Sequence, residues 1–149
     1  MAKRKSSSRG ISGRRYQVFV SHATTDKWLA KTLCEKIEET GASTFRDDRD
    51  IDGGDDNPEA IRLQIKKSKE VVVLLTPESV NRKWVTLEVG AAWGHSGRMR
   101  ITMILCHVSV DTIPGMMKNK KAISLNETDF YLNQLANRVQ EHGQVKKDL

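Results

Sequence analysis

Val71-Val72-Val73-Leu74-Leu75, running into Thr76 and Pro77, is an unbroken apolar run near the middle of a 149-residue chain. A run this short, apolar at every position and stopped by proline, predicts a strand buried on both faces, hence central in a parallel sheet. Beyond it, Ser79 or Asn81 can cap a helix that runs from about Arg82 toward Trp93, where Gly90, Ala91 and Ala92 permit close packing. Trp84 and Glu88 are four apart and share one face of that helix. Ahead of the run, Pro58 suits the first turn of another helix, with Asn57 as cap and Ile61 and Ile65 facing inward.

The alternation continues in both directions. Tyr16 to Ser21 predicts a first strand. Asp26 to Thr40 predicts a helix with Trp28, Leu29, Leu33 and Ile37 inward and Gly41 as its left-handed stop. Ala42 to Arg46 predicts a second strand, followed by an acid-rich loop from Asp47 to Asp56. Arg100 to Val108 predicts a fourth strand, and Asp111 to Met117, holding Pro114 and Gly115, is irregular. Ala122 to Leu125 predicts a fifth strand and Asp129 to His142 a closing helix, with Tyr131, Leu132, Leu135 and Val139 inward. Strand–helix alternation implies parallel pairing and right-handed crossovers. Five such strands predict an α/β, doubly wound sheet of order 2-1-3-4-5, with a ligand crevice between strands one and three. Ser21, His22, Ala23 and Thr24 form one lip of that crevice, and Thr76 through Trp84 the other.

Composition sets the class. Hydrophobic residues at 38% and charged residues at 30% suit one soluble domain with a polar shell. The net charge of +6 belongs to residues 1–15, which carry six basic residues and no acid, leaving 19 basic against 19 acidic in the remainder. Residues 1–15 are therefore expected to be a disordered basic tail and residues 16–149 the folded domain. A neutral body argues against nucleic acid as the main partner. No run approaches the roughly 18 apolar residues of a membrane span, and no apolar segment follows the basic start as in a secretory signal. Cys34, in a predicted helix, and Cys106, in a predicted strand, lack metal-ligand spacing and read as core residues in a reducing, cytoplasmic setting.

Several chemistries are excluded by pattern. The turn after strand one reads Ser21-His22-Ala23-Thr24-Thr25, without the glycines of a dinucleotide-binding turn, and no P-loop is present. Strand three ends Leu75-Thr76-Pro77, with no Asp to accept a phosphoryl group. His22, His95, His107 and His142 are scattered, so no metal site is expected. Ser21 and His22 are adjacent on a strand and face opposite ways, which disfavours a hydrolytic pair. The acid-rich loop lacks the ligand order of an EF-hand.

The residues that remain resemble the Toll/interleukin receptor (TIR) domain, a flavodoxin-like fold. Val18-Phe19-Val20-Ser21-His22 with Asp26 resembles its first box. Phe45-Arg46-Asp47, with Ile51 and Gly53, resembles the long loop after its second strand. Ile65, Ser68, the apolar strand, then Ser79, Trp84 and Glu88 are similar to its third region. The likeness runs from Tyr16 to about Val139, in the compact style of prokaryotic stand-alone members.

That resemblance implies a NAD+ glycohydrolase, releasing nicotinamide and ADP-ribose or a cyclic form, with a role in anti-phage immunity. NAD+ is then the substrate, and no cofactor is implied. Glu88 would be the catalytic carboxylate and Trp84 a stacking wall, while Ser21, His22, Ala23, Arg46, Asp47 and Ser79 line the substrate site. Ala23 stands where some enzymatic members carry a basic residue. The family also implies homotypic assembly, extending to filaments, and a downstream effector that reads the product. Two other functions fit the same residues: a non-enzymatic TIR–TIR interaction module, and a nucleoside or nucleotide N-glycosidase or transferase of the same superfamily.

Overall fold

The computed structural model describes residues 15–46, 58–80, 90, 99–113 and 121–148. Five parallel strands, β1 (Gln17–Ser21), β2 (Ser43–Arg46), β3 (Glu70–Leu75), β4 (Arg100–Leu105) and β5 (Lys121–Ser124), pair in the order β2-β1-β3-β4-β5. Three α-helices are described: α1 (Lys27–Glu38), α2 (Pro58–Lys67) and α3 (Thr128–Asp148). The expected doubly wound sheet and its order are what the chain adopts.

Period-two alternation divides the strand residues between two cores. Val18, Val20, Val72, Leu74 and Ile104 pack with Ala30, Leu33, Cys34 and Ile37 of α1 and Tyr131 and Leu135 of α3. Phe19, Val71, Val73, Leu75, Ile101 and Met103 pack on the other face with Ile61 and Ile65 of α2. Every residue of β3 is buried, as the apolar run requires of a central strand.

The first helix differs from expectation at its start. Thr24–Asp26 form a short 3₁₀ turn, and α1 follows from Lys27. Trp28 does not face the core; it is 76% exposed. The buried residues Ala30, Leu33, Cys34 and Ile37 form the inward stripe, and a residue two positions before Ala30 lies roughly 200° around the helix from it. Gly41 ends this unit at φ +101° as expected, and a Cβ there would lie 3.3 Å from Cγ1 of Val139.

The fourth strand stops at Leu105 rather than Val108. Cys106 N–H donates to the Leu75 carbonyl at 2.9 Å, and His107 then turns to φ +60°, which a pleated strand does not accommodate. Cys106 therefore lies just past the strand, half-buried, and both cysteines are free thiols. Val110–Thr112 form a 3₁₀ turn. The closing helix runs on through Gly143 to Asp148, six residues past His142. Its core-facing stripe ends at Val139, and Val145 is exposed.

A buried carboxylate ties α3 to the amino end of β3. Glu70 is fully buried. Its Oε1 accepts from the Tyr131 hydroxyl at 2.8 Å and from Arg138 Nη2 at 3.0 Å. Its Oε2 accepts from Arg138 Nε at 2.9 Å and from the Tyr16 hydroxyl. Two donors on each oxygen, with a bidentate guanidinium among them, satisfy the charge. Burial and the Glu70 carboxylate both push the Tyr16 and Tyr131 phenols well up. Burial works against the Arg138 charge, but Glu70 overrides it and raises that group as well.

Candidate active site

The strand order reverses between β1 and β3, so their carboxyl ends frame the crevice of this fold. Ser21 at the end of β1 stands level with Val73, and β3 continues through Leu75 before turning. The lip after β3 is thus the taller of the two.

The β1 lip is packed tight. Ser21, His22 and Ala23 are all buried. The Ala23 carbonyl accepts from the Asp26 N–H at 2.9 Å and from His22 Nδ1 at 2.8 Å. A carbonyl only accepts, so Nδ1 carries the proton in this bond. His22 is accordingly held by its own strand end. The 3₁₀ turn that follows places Asp26 facing β3.

The β3 lip is a closed hydrogen-bonded turn. The Ser79 hydroxyl accepts from the Thr76 N–H at 2.8 Å and donates to the Leu74 carbonyl at 3.1 Å. Backbone N–H groups of Ser79 and Val80 both donate to the Thr76 carbonyl, at 3.0 and 2.9 Å. Ser79 therefore builds the loop; the first turn of the helix it was expected to cap lies outside the described residues. Thr76 joins the two lips: its hydroxyl donates to Asp26 Oδ2 at 2.7 Å. Sequence reading named both residues but did not foresee this bond, because partners 50 positions apart leave no local signal.

Arg46 ends the edge strand β2, across β1 from β3, roughly 10 Å away at ordinary strand spacing. It is half-buried in a groove of about 430 Å³ between α1 and β2, lined also by Lys31, Cys34, Glu35, Glu38, Thr44 and Phe45. Burial pushes the Cys34 thiol up, against the opposing pull of Thr44 and Arg46. Phe45 takes the other face and stacks on Phe19 with ring centroids 5.7 Å apart. Ser21, His22, Ala23 and Ser79 are thus brought together, buried, at the carboxyl ends of β1 and β3, with Arg46 at the end of the neighbouring β2. Asp47, Trp84, Glu88, the acid-rich loop, Asn57, the helix expected from Arg82 to Trp93 apart from the helical Gly90, and Pro114 and Gly115 lie outside the described residues.

The family model described as TIR domain matches residues 18–139. The chain belongs to the TIR domain family. Two curated relatives of this TIR chain are bacterial proteins named NAD(+) hydrolase. TirS of Staphylococcus aureus is 33% identical over 75 residues, covering 49% of this chain and 26% of TirS. TcpC of Escherichia coli is 28% identical over 75 residues, covering 50% of this chain and 24% of TcpC. The aligned part is about a quarter of the length of each relative. Among solved structures, a metazoan TIR-STING receptor from C. gigas superposes with a TM-score of 0.67 at 23% identity, over 81% of this chain and 39% of that one. No helix among the described residues is long and apolar enough to cross a membrane.

Proposed function

We propose that this TIR domain is a NAD+ glycohydrolase whose reaction takes place at the β1/β3 crevice. The observation that carries the reading is the pair of lips joined by the Thr76–Asp26 hydrogen bond. The β3 lip leads directly, in sequence, into Trp84 and Glu88. Two relatives named NAD(+) hydrolase supply the substrate class.

The chemistry needs little from the protein. Nicotinamide leaves a cationic glycosidic linkage as a neutral molecule, so no acid has to protonate it. One carboxylate suffices where ordinary glycoside hydrolysis uses two. Glu88 is assigned the electrostatic role, stabilising the oxocarbenium-like sugar as the bond breaks. Trp84 is assigned the wall against nicotinamide or ribose. Arg46, at the end of β2, is the natural partner for the pyrophosphate of an extended dinucleotide. Water attack then gives ADP-ribose, and attack by an adenine nitrogen of the same molecule gives a cyclic product. Activity is expected to rise with protein concentration, because head-to-tail TIR contacts extend rather than close.

The test is nicotinamide release from NAD+ by concentrated protein, beside Glu88→Gln, with mass spectrometry of the product. Glu88→Gln keeps shape and hydrogen bonding but removes the charge, and a loss of about 100- to 1000-fold is expected. Equal turnover by the two proteins would end the proposal.

A further inference from the structure

The end of the sheet opposite the crevice holds a second concavity, of about 640 Å³, lined by Arg15, Gln17, Ser43, Lys66, Lys67, Ser68 and Lys69. It opens at the amino ends of β1, β2 and β3. The length of β1, five residues, separates it from the crevice by roughly 15 Å. Among the described residues that line it, four of seven are cations and none is an acid. The cations come from three places: the start of β1, the last turn of α2 and the residue before β3.

Lys66 and Lys67 offset the negative end of the α2 dipole, but that end is worth only about half a charge. More than three positive charges remain. The nearest buried acid does not neutralise them, because Glu70 is already matched by Arg138. Residues 16–149 are formally neutral, so the gathering of Lys66, Lys67 and Lys69 is local, and Arg15 from the basic segment before them adds to it.

The wall between the cations is built in place. Gln17 Nε2 donates to Ser68 Oγ at 2.9 Å and to the Gln64 carbonyl at 3.2 Å. Ser68 Oγ donates to that same carbonyl at 2.8 Å, and Lys69 N–H donates to the Gln17 carbonyl at 2.7 Å. A polar floor held by four hydrogen bonds, ringed by three exposed ammonium groups and one guanidinium, suits a compact multivalent anion. Among the described residues no aromatic ring lines it, so none of them offers a surface on which a base stacks.

We infer that this concavity binds a small anion of two or three linked phosphates, such as the diphosphate or triphosphate part of a nucleotide, without reading a base. The inference does not depend on NAD+ cleavage.

Isothermal titration of the full chain with tripolyphosphate, pyrophosphate and orthophosphate tests it. Affinity is expected to rise at least tenfold from orthophosphate to tripolyphosphate and to fall as salt is added. Lys67→Glu with Lys69→Glu is expected to weaken tripolyphosphate at least tenfold, and Glu88→Gln to leave it unchanged. If the charge-reversed protein misfolds by circular dichroism, Lys67→Gln with Lys69→Gln replaces it, with at least a threefold loss expected. Equal affinity for orthophosphate and tripolyphosphate overturns the inference, as does undiminished binding by the folded variant. Binding of single-stranded DNA without binding of tripolyphosphate also overturns it, and makes the surface a nucleic-acid contact.

Discussion

Both tyrosines of this chain donate to one buried carboxylate, which gives the fold an alkaline signature that can be read without labels. Tyr16 and Tyr131 are the only two tyrosines, and each phenol is raised by burial together with Glu70. An ordinary phenol titrates near pH 10, so at pH 11 about 90% of it is ionised. In the native chain almost none should be. A raised acid favours its neutral form in the folded state, so the stabilisation is complete below about pH 10 and is lost as the pH climbs toward the folded value. At pH 11 each phenol released by unfolding gains about 1.4 kcal/mol from ionising. The total is about 2 to 3 kcal/mol, with the partly exposed Tyr16 contributing the smaller share. The assay is tyrosinate absorbance against pH, run beside far-ultraviolet circular dichroism and urea midpoints at pH 9 and pH 11. Tyrosinate should appear only as helix signal is lost, and Tyr131→Phe should flatten the fall in stability. A normal phenol titration near pH 10 with intact circular dichroism would refute the reasoning.

Other outcomes follow from the same contacts. Arg138→Met leaves the Glu70 charge buried with only the tyrosines as donors, a loss of about 3 to 5 kcal/mol; adding Glu70→Met should recover part of it in urea unfolding. Thr76→Val removes the bond to Asp26 and should cost about 1.5 to 3 kcal/mol in urea unfolding, with Thr76→Ser restoring most of it. Gly41→Ala places a Cβ at φ +101° beside Val139 and should cost about 1 to 2 kcal/mol in the same measurement. Trp28→Lys, at an exposed site, should change stability by less than about 0.5 kcal/mol; a large drop in melting temperature would put Trp28 back in the core.

Alternation of short apolar runs with amphipathic segments was enough to assign the strands, their parallel pairing and the order β2-β1-β3-β4-β5. The cause is that burial on two faces has to be written into consecutive residues, as it is from Val71 to Leu75. The point where the order reverses, between β1 and β3, followed as well, since it is a property of strand order alone. Local chemistry also announced Gly41 as a helix stop. Periodicity failed at Trp28, where a large apolar side chain counted as inward although the buried stripe is set by Ala30, Leu33, Cys34 and Ile37. It also ran past Leu105, because nothing local signals the positive φ of His107.

The long-range polar contacts needed three dimensions. Glu70 with Arg138, Thr76 with Asp26, and the gathering of Arg15 with Lys66, Lys67 and Lys69 join residues from separate segments of the chain. A hydrogen bond or a shared concavity imposes no period on the residues that make it. Apolar burial was therefore legible along the chain, and the placement of charge was decided only when the strands and helices came together.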